Sequence, residues 1–184
     1  MASMSLKERV KSVSLIFACG TAMFSDGYAN AMIGNVNTLL RRIYGSDALA
    51  AHNYSTTLTS VGFAGTVVGM LTFGYLSDKM GRKFGMMTAT GIVIVFSALS
   101  AASSGKTVAG LLKMLTAMRF LLGIGIGAEY PCGSVAASEQ SEEAYIHKKS
   151  RHRWLALATN TMLDWGFVIA SLVPLILFKM QVSL

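Results

Sequence analysis

The chain has 184 residues, 53% of them hydrophobic and 14% charged, with a mean hydropathy of +0.52 and a formal net charge of +7. Soluble domains carry about 25% charged residues, so this composition excludes an ordinary soluble fold and points to a membrane protein. Nor does the +7 mark a nucleic-acid surface, because the basic residues lie in short segments between apolar runs and not on one continuous face.

In chain order, residues 1–12 are short and basic (Lys7, Arg9, Lys11), and an apolar run follows from Val13 to about Ile33. The run exceeds the ~7–15-residue core of a cleaved signal peptide and contains Asp26, so it reads as a first transmembrane helix. Residues 34–53 are a polar connection holding Arg41, Arg42 and Asp47. A second run, Tyr54–Leu76, is uncharged and carries Gly65 and Gly69 at the G-x-x-x-G spacing of a close-packing helix face. A charged turn, Gly74–Lys83, leads to a third run from Phe84 to Ser103. After a small loop with Gly105, Lys106 and Gly110 comes the fourth run, Leu111–Ser138. Residues 139–153 form a charged loop, and a fifth run, Trp154–Phe178, contains Asp164 and Pro174.

Each run reaches the ~20 residues that span about 30 Å of hydrocarbon. Lipid tolerates only helices or closed barrels, because every backbone polar group must be satisfied internally. The expected fold class is therefore all-α, a polytopic membrane protein of about five transmembrane helices: residues 1–12 as a cytoplasmic N-terminus and 13–184 as the spans. With the N-terminus inside, the inner segments hold ten Lys/Arg and the outer segments five, which fixes that orientation. Cys19 and Cys132 both fall in apolar segments, so no disulfide framework is implied. The sequon Asn53-Tyr-Ser55 abuts the second helix and is expected to stay unused.

The informative residues are the charges inside the runs. Asp26, Arg119, Glu129 and Asp164 lie in the first, fourth and fifth spans, and an ionisable side chain at membrane depth costs ~2.5–3.5 kcal/mol on insertion scales. Arg119 and Glu129 are ten residues apart, about 15 Å along a helix, so they cannot pair with each other at i,i+4. Two readings remain: buried ion pairs that fix helix register, or a substrate and proton pathway. A carboxyl group that hydrocarbon pushes toward its neutral form can carry a proton, and neutralising it removes its repulsion of an anion. Gly123, Gly125 and Gly127 have the spacing G-x-G-x-G in a membrane span with no preceding strand, which is not a dinucleotide loop. They leave room for a neighbouring helix or a substrate.

The turn Gly74-x-Leu76-x-Asp78-Lys79-x-Gly81-Arg82-Lys83 resembles the signature loop between helices two and three of the major facilitator superfamily, matching at every characteristic position. The resemblance implies a cytoplasmic gating motif of Gly74, Asp78, Gly81, Arg82 and Lys83, with Glu139 at the inner end of helix four pairing with Arg82. Gly123-Ile-Gly-Ile-Gly-Ala-Glu-Tyr-Pro131, followed by Ser134 and Glu139, resembles helix four of the phosphate:proton symporters, which usually have aspartate where this chain has Glu129. Ser25-Asp26-Gly-Tyr28-Ala-Asn30 and Asp164-Trp-Gly166-Phe-Val168 look like the fungal glycerophosphoinositol and glycerophosphodiester permeases of the same branch. By that resemblance Asp26 and Glu129 are the proton-linked acids and Tyr130 lines the phosphate site. Arg119 stands at a helix-four arginine position, and Tyr28, Asn30 and Asp164 complete the pathway.

The function so implied is symport of a phosphate-bearing organic anion, such as a glycerophosphodiester, with a proton as coupling ion. No other cofactor, metal or nucleic acid is implied, and the lipid bilayer, most simply the plasma membrane, is the setting. A sugar, polyol or inorganic phosphate porter of the same superfamily is the alternative, as is a non-transporting membrane remnant. Facilitators have twelve helices in two halves around a midplane site. The chain is therefore expected to be an N-terminal part that lacks its sixth helix and the C-terminal half, and that cannot transport alone.

Overall fold

The computed structural model describes residues 6–45, 49, 53–143, 153 and 156–182, and for 6–19, 82, 136–143, 158, 181 and 182 the backbone alone. Among the described residues there are five long helices and no strand: α1 (Leu6–Tyr44), α2 (Tyr54–Met80), α3 (Arg82–Ala101), α4 (Val108–Glu143) and α5 (Met162–Val182). A π-helical turn, Leu157–Thr161, leads into α5. Four stretches are long and apolar enough to cross a membrane: Tyr54–Met80, Lys83–Ala101, Val108–Val135 and Thr159–Met180. α1 has the length, 39 residues, but Asp26, Asn30 and several small polar residues leave it less apolar than the other four.

Three boundaries depart from the sequence expectation, one of them in α4, which continues to Glu143 where a charged loop was expected from residue 139. The charged stretch Gly74–Lys83 is not a loop, because α2 continues through Asp78 and Lys79 to Met80 and α3 starts at Arg82. The whole turn is Gly81, at φ 92 and ψ 149, whose N–H donates to the Ser77 carbonyl at 3.0 Å. Charge does not end a helix; a residue able to take positive φ does. Likewise α1 runs past Ile33 to Tyr44, about 58 Å in all, and stops at Gly45, also at positive φ.

The described residues gather into two compact units, one of residues 32–132 and one of residues 1–31 with 133–184. In the first, leucines form a plug at one end: Leu40, Leu49, Leu58, Leu112 and Leu115, with Ile33, Val36 and Tyr54 around them. Asn37 on α1 donates to the Ser55 carbonyl at 3.3 Å, and Arg41 to the Ser55 hydroxyl at 3.0 Å, tying α1 to the first turn of α2. At the other end Phe73, Ala89, Ala128 and the free Cys132 pack with Leu76, Met86, Ile92 and Ile124.

Between these clusters the helices touch backbone to backbone. A Cβ on Gly65 would strike the Phe120 carbonyl, one on Gly69 the Ile124 carbonyl, and one on Gly127 the Thr66 carbonyl. The contact numbers rise together along α2 and α4, so these helices run parallel. On α3 the order reverses. Gly125 lies against Ile92 and Val93, Ala128 against Ala89, and Cys132 against Gly85, with a Cβ at Gly85 2.8 Å from the Cys132 sulfur. Small residues face one another while large apolar ones (Phe63, Leu71, Met87, Ile94) stand exposed. Membrane helix bundles use this arrangement, since lipid is as apolar as leucine and close backbone approach drives association.

The unit of residues 1–31 and 133–184 has its own close crossing. A Cβ on Gly27 of α1 would strike the Leu163 carbonyl of α5, and one on Gly166 the Phe24 carbonyl, with the Tyr28 amide at 2.7 Å. Gly133 of α4 meets Met23, a Cβ there standing 3.0 Å from its methyl.

Candidate functional site

The glycines of α4 decide what its polar residues can reach. All three are used by neighbouring helices: Gly123 and Gly127 by α2, Gly125 by α3. Of the two roles open to them, room for a helix is the one observed. With two faces of α4 pressed against partners here, Glu129 is 2% exposed, and the Thr90 hydroxyl of α3 donates to its Oε1 at 2.9 Å. Thr90 was not apparent in the sequence, where the third run counts as uncharged. The α3–α4 register brings it within reach, and a hydroxyl in an apolar span was the available signal.

Arg119, also on α4, is partly buried. Ten residues of helix separate it from Glu129, about 15 Å along the axis. Tyr130 and Pro131 follow Glu129 directly, and Tyr130 too is partly buried. The interior Pro131 leaves α4 continuous from Val108 to Glu143. Proline has no N–H to return to the residue four back, which is Gly127.

In the other unit Asp26 is completely buried, next to Gly27 at the α1–α5 crossing. Tyr28 and Asn30, about half a turn and one turn further along α1, are partly buried. Asp164, two residues before Gly166, is exposed and sits in the first turn of α5, directly after the π-helical turn. The sequence reading put it ten residues into a helix beginning at Trp154. Residues 154 and 155 lie outside the described ones, and the regular helix begins at Met162. The two motifs Asp26-Gly27-Tyr28 and Asp164-Trp165-Gly166 are thus brought together through their glycines, with one acid buried and the other open.

Of the gating motif, Gly74, Asp78 and Lys79 lie on the last turns of α2, Gly81 is the turn, and Lys83 is exposed on the first turn of α3. Lys79 sits over the Tyr75 ring at 4.7 Å. The side chains of Arg82 and Glu139 are outside the described ones, as are residues 144–152 altogether. No group of three or more His, Cys, Asp or Glu able to hold a metal occurs among the described residues.

Comparison with known proteins agrees with this architecture. The family model described as sugar (and other) transporter matches residues 13–183. The glycerophosphocholine permease GIT4 of Candida albicans is 46% identical over 172 residues, covering 93% of this chain and 32% of that protein. Glycerophosphoinositol transporter 1 of Saccharomyces cerevisiae is 37% identical over 95% of the chain and 33% of its own length. A probable inorganic phosphate transporter 1-3 of Oryza sativa subsp. japonica is 34% identical over 88% of the chain and 31% of its own length. The chain spans about a third of the length of these relatives. With a helical architecture of membrane-length elements and a family match over nearly every residue, the chain belongs to the sugar (and other) transporter family of the major facilitator superfamily.

Proposed function

We propose that the chain supplies the first five helices of a proton-coupled carrier for a glycerophosphodiester such as glycerophosphoinositol or glycerophosphocholine. Asp26 and Glu129 are its proton-linked acids. The observation that carries this reading is the burial of both carboxyl groups, 0% and 2% exposed, inside helices of 39 and 36 residues. A buried charge in hydrocarbon is costly and by default belongs to an ion or substrate pathway. The relatives that transport glycerophosphodiesters support the substrate class.

In this mechanism the acids take up protons on the side of higher proton concentration. Neutral carboxyl groups no longer repel a phosphodiester anion, so proton and substrate enter together. Arg119 supplies positive charge toward the anion, and Tyr28, Asn30 and Tyr130 offer hydroxyl and amide hydrogen bonds to its phosphate and polyol oxygens. Asp164, exposed on α5, is a further acid of the pathway. Release of the protons on the other side restores the negative charge and expels the anion. Arg82 and Glu139 latch the cytoplasmic ends of α3 and α4. The N-terminus is cytoplasmic, following the ten-to-five excess of Lys and Arg, and the membrane is the plasma membrane.

Inorganic phosphate is a second reading, favoured by the rice relative. Uptake in a host lacking its own carriers separates the readings, using the chain within its complete reading frame and labelled glycerophosphoinositol, glycerophosphocholine, phosphate and glucose. Accumulation of a glycerophosphodiester that excess phosphate and glucose fail to compete away supports the proposal. Accumulation of phosphate or glucose in its place refutes it.

A further inference from the structure

The hydroxyl of Thr90 behaves unlike those of five other threonines on α2, α3 and α4. Thr59, Thr66, Thr72, Thr88 and Thr116 each donate to the carbonyl four residues back, at 2.7–3.2 Å. That is the usual bond of a mid-helix threonine, because its own helix always offers the acceptor. Thr90 gives up this local bond and donates across the helix pair to Oε1 of Glu129 at 2.9 Å. Helix packing aims it there. Gly125 lets α3 come so close that a Cβ at that position would lie 3.0 Å from the Val93 amide. One turn further along each antiparallel helix, residues 90 and 129 then face each other.

We infer that Thr90 is a positioning residue for Glu129, its hydroxyl fixing the orientation of the carboxyl group on the α3 side of α4. The inference rests on the proposed role of Glu129 and deepens it. Glu129 is 2% exposed, whereas Thr90 is itself exposed, so the hydroxyl stands at the outer edge of a carboxyl group that is otherwise enclosed. A hydrogen bond to a carboxylate is roughly twice as strong as one between neutral groups. The exchange of a carbonyl for Glu129 is therefore favoured by the hydroxyl and holds one of the two oxygens in place. The second oxygen then has a set direction, which a transferred proton or an entering ligand requires.

Two near-isosteric substitutions separate this role from packing. Thr90→Val keeps the branched shape and loses the hydroxyl; Thr90→Ser keeps the hydroxyl and loses the methyl. Both are made in the complete protein, with membrane expression measured alongside, and uptake of labelled glycerophosphoinositol is followed in cells. Loss of a charge-assisted hydrogen bond predicts a fall in kcat/KM on the order of tenfold for Thr90→Val, with Thr90→Ser within about twofold of the parent. A second readout needs no transport. The infrared carbonyl stretch of protonated Glu129, identified by its disappearance in Glu129→Gln, moves to higher wavenumber in Thr90→Val and returns in Thr90→Ser. Tolerance of valine, serine no better than valine, or an unmoved stretch each overturns the inference. Should Glu129→Gln leave uptake intact, the proposed function fails, and the infrared band alone decides whether Thr90 holds the carboxyl group.

Discussion

The substitution Gly127→Ala tests the packing on which the site depends. A methyl at this position would meet the Thr66 backbone: its carbonyl oxygen, its carbonyl carbon at 2.7 Å and its Cα at 2.8 Å. Ordinary contact for such a carbon begins at roughly 3.4 Å, so α2 and α4 must part by at least about 0.7 Å. A gap of that size forfeits a quarter to a half of the dispersion well for each atom pair along the seam. Overpacking of this kind costs about 1–3 kcal/mol, and backbone obstacles that cannot rotate away place the value toward the upper end. Gly91→Ala is the matched control, since a Cβ there meets nothing within 4 Å, and replacing a helical glycine by alanine gains roughly 0.5–1 kcal/mol. Because the helix-propensity gain is common to both variants, their unfolding in mixed detergent, followed by circular dichroism, should differ by the overpacking cost alone, about 1–3 kcal/mol and toward the upper end. Equal stability of Gly127→Ala and Gly91→Ala would refute the claim that the α4 glycines serve helix approach.

Three further outcomes are expected. Gly81→Ala forces a side chain to φ 92 at the α2–α3 turn, a cost of about 1–3 kcal/mol. It should lower the thermal midpoint, whereas Gly74→Ala, with nothing within 4 Å, should not. If Arg82 and Glu139 form the proposed latch, a double-mutant cycle to alanine, read as uptake, gives a coupling of about 0.5–3 kcal/mol; strict additivity rejects the latch. Asn53 caps α2 directly, at φ 50, with Ser55 held by Arg41 and Asn37. Asn53→Gln should leave electrophoretic mobility unchanged, and a shift after glycosidase treatment of the parent would contradict that.

The features written in composition and short-range spacing were legible in the sequence. Five apolar runs became five helices because hydrocarbon leaves the backbone no other choice. Gly65 and Gly69 announced a packed face because two small residues one turn apart have that effect in any membrane helix. Less legible was anything set by where a helix stops. Asp78, Lys79 and Lys83 looked like a loop, but α2 and α3 run up to a single glycine on either side of it. Asp164 was expected ten residues into a helix from Trp154, and the π-helical turn Leu157–Thr161 that leads straight into its α-helical turn could not be read from composition. Residue pairs that depend on register could not be read at all. The reciprocal crossing of Gly27 and Gly166, and the reach of Thr90 to Glu129, exist only once two helices have chosen their offset.

In the proposed mechanism Glu129, enclosed on α4 and hydrogen-bonded by Thr90, is a proton-linked acid of a glycerophosphodiester carrier. Its most direct test is initial uptake of labelled glycerophosphoinositol against external pH, for the complete protein and for Glu129→Gln, at matched surface expression. Parent uptake should rise as the medium is acidified, and Glu129→Gln should abolish both the rise and net accumulation. Uptake that ignores external pH and survives Glu129→Gln unchanged would contradict it.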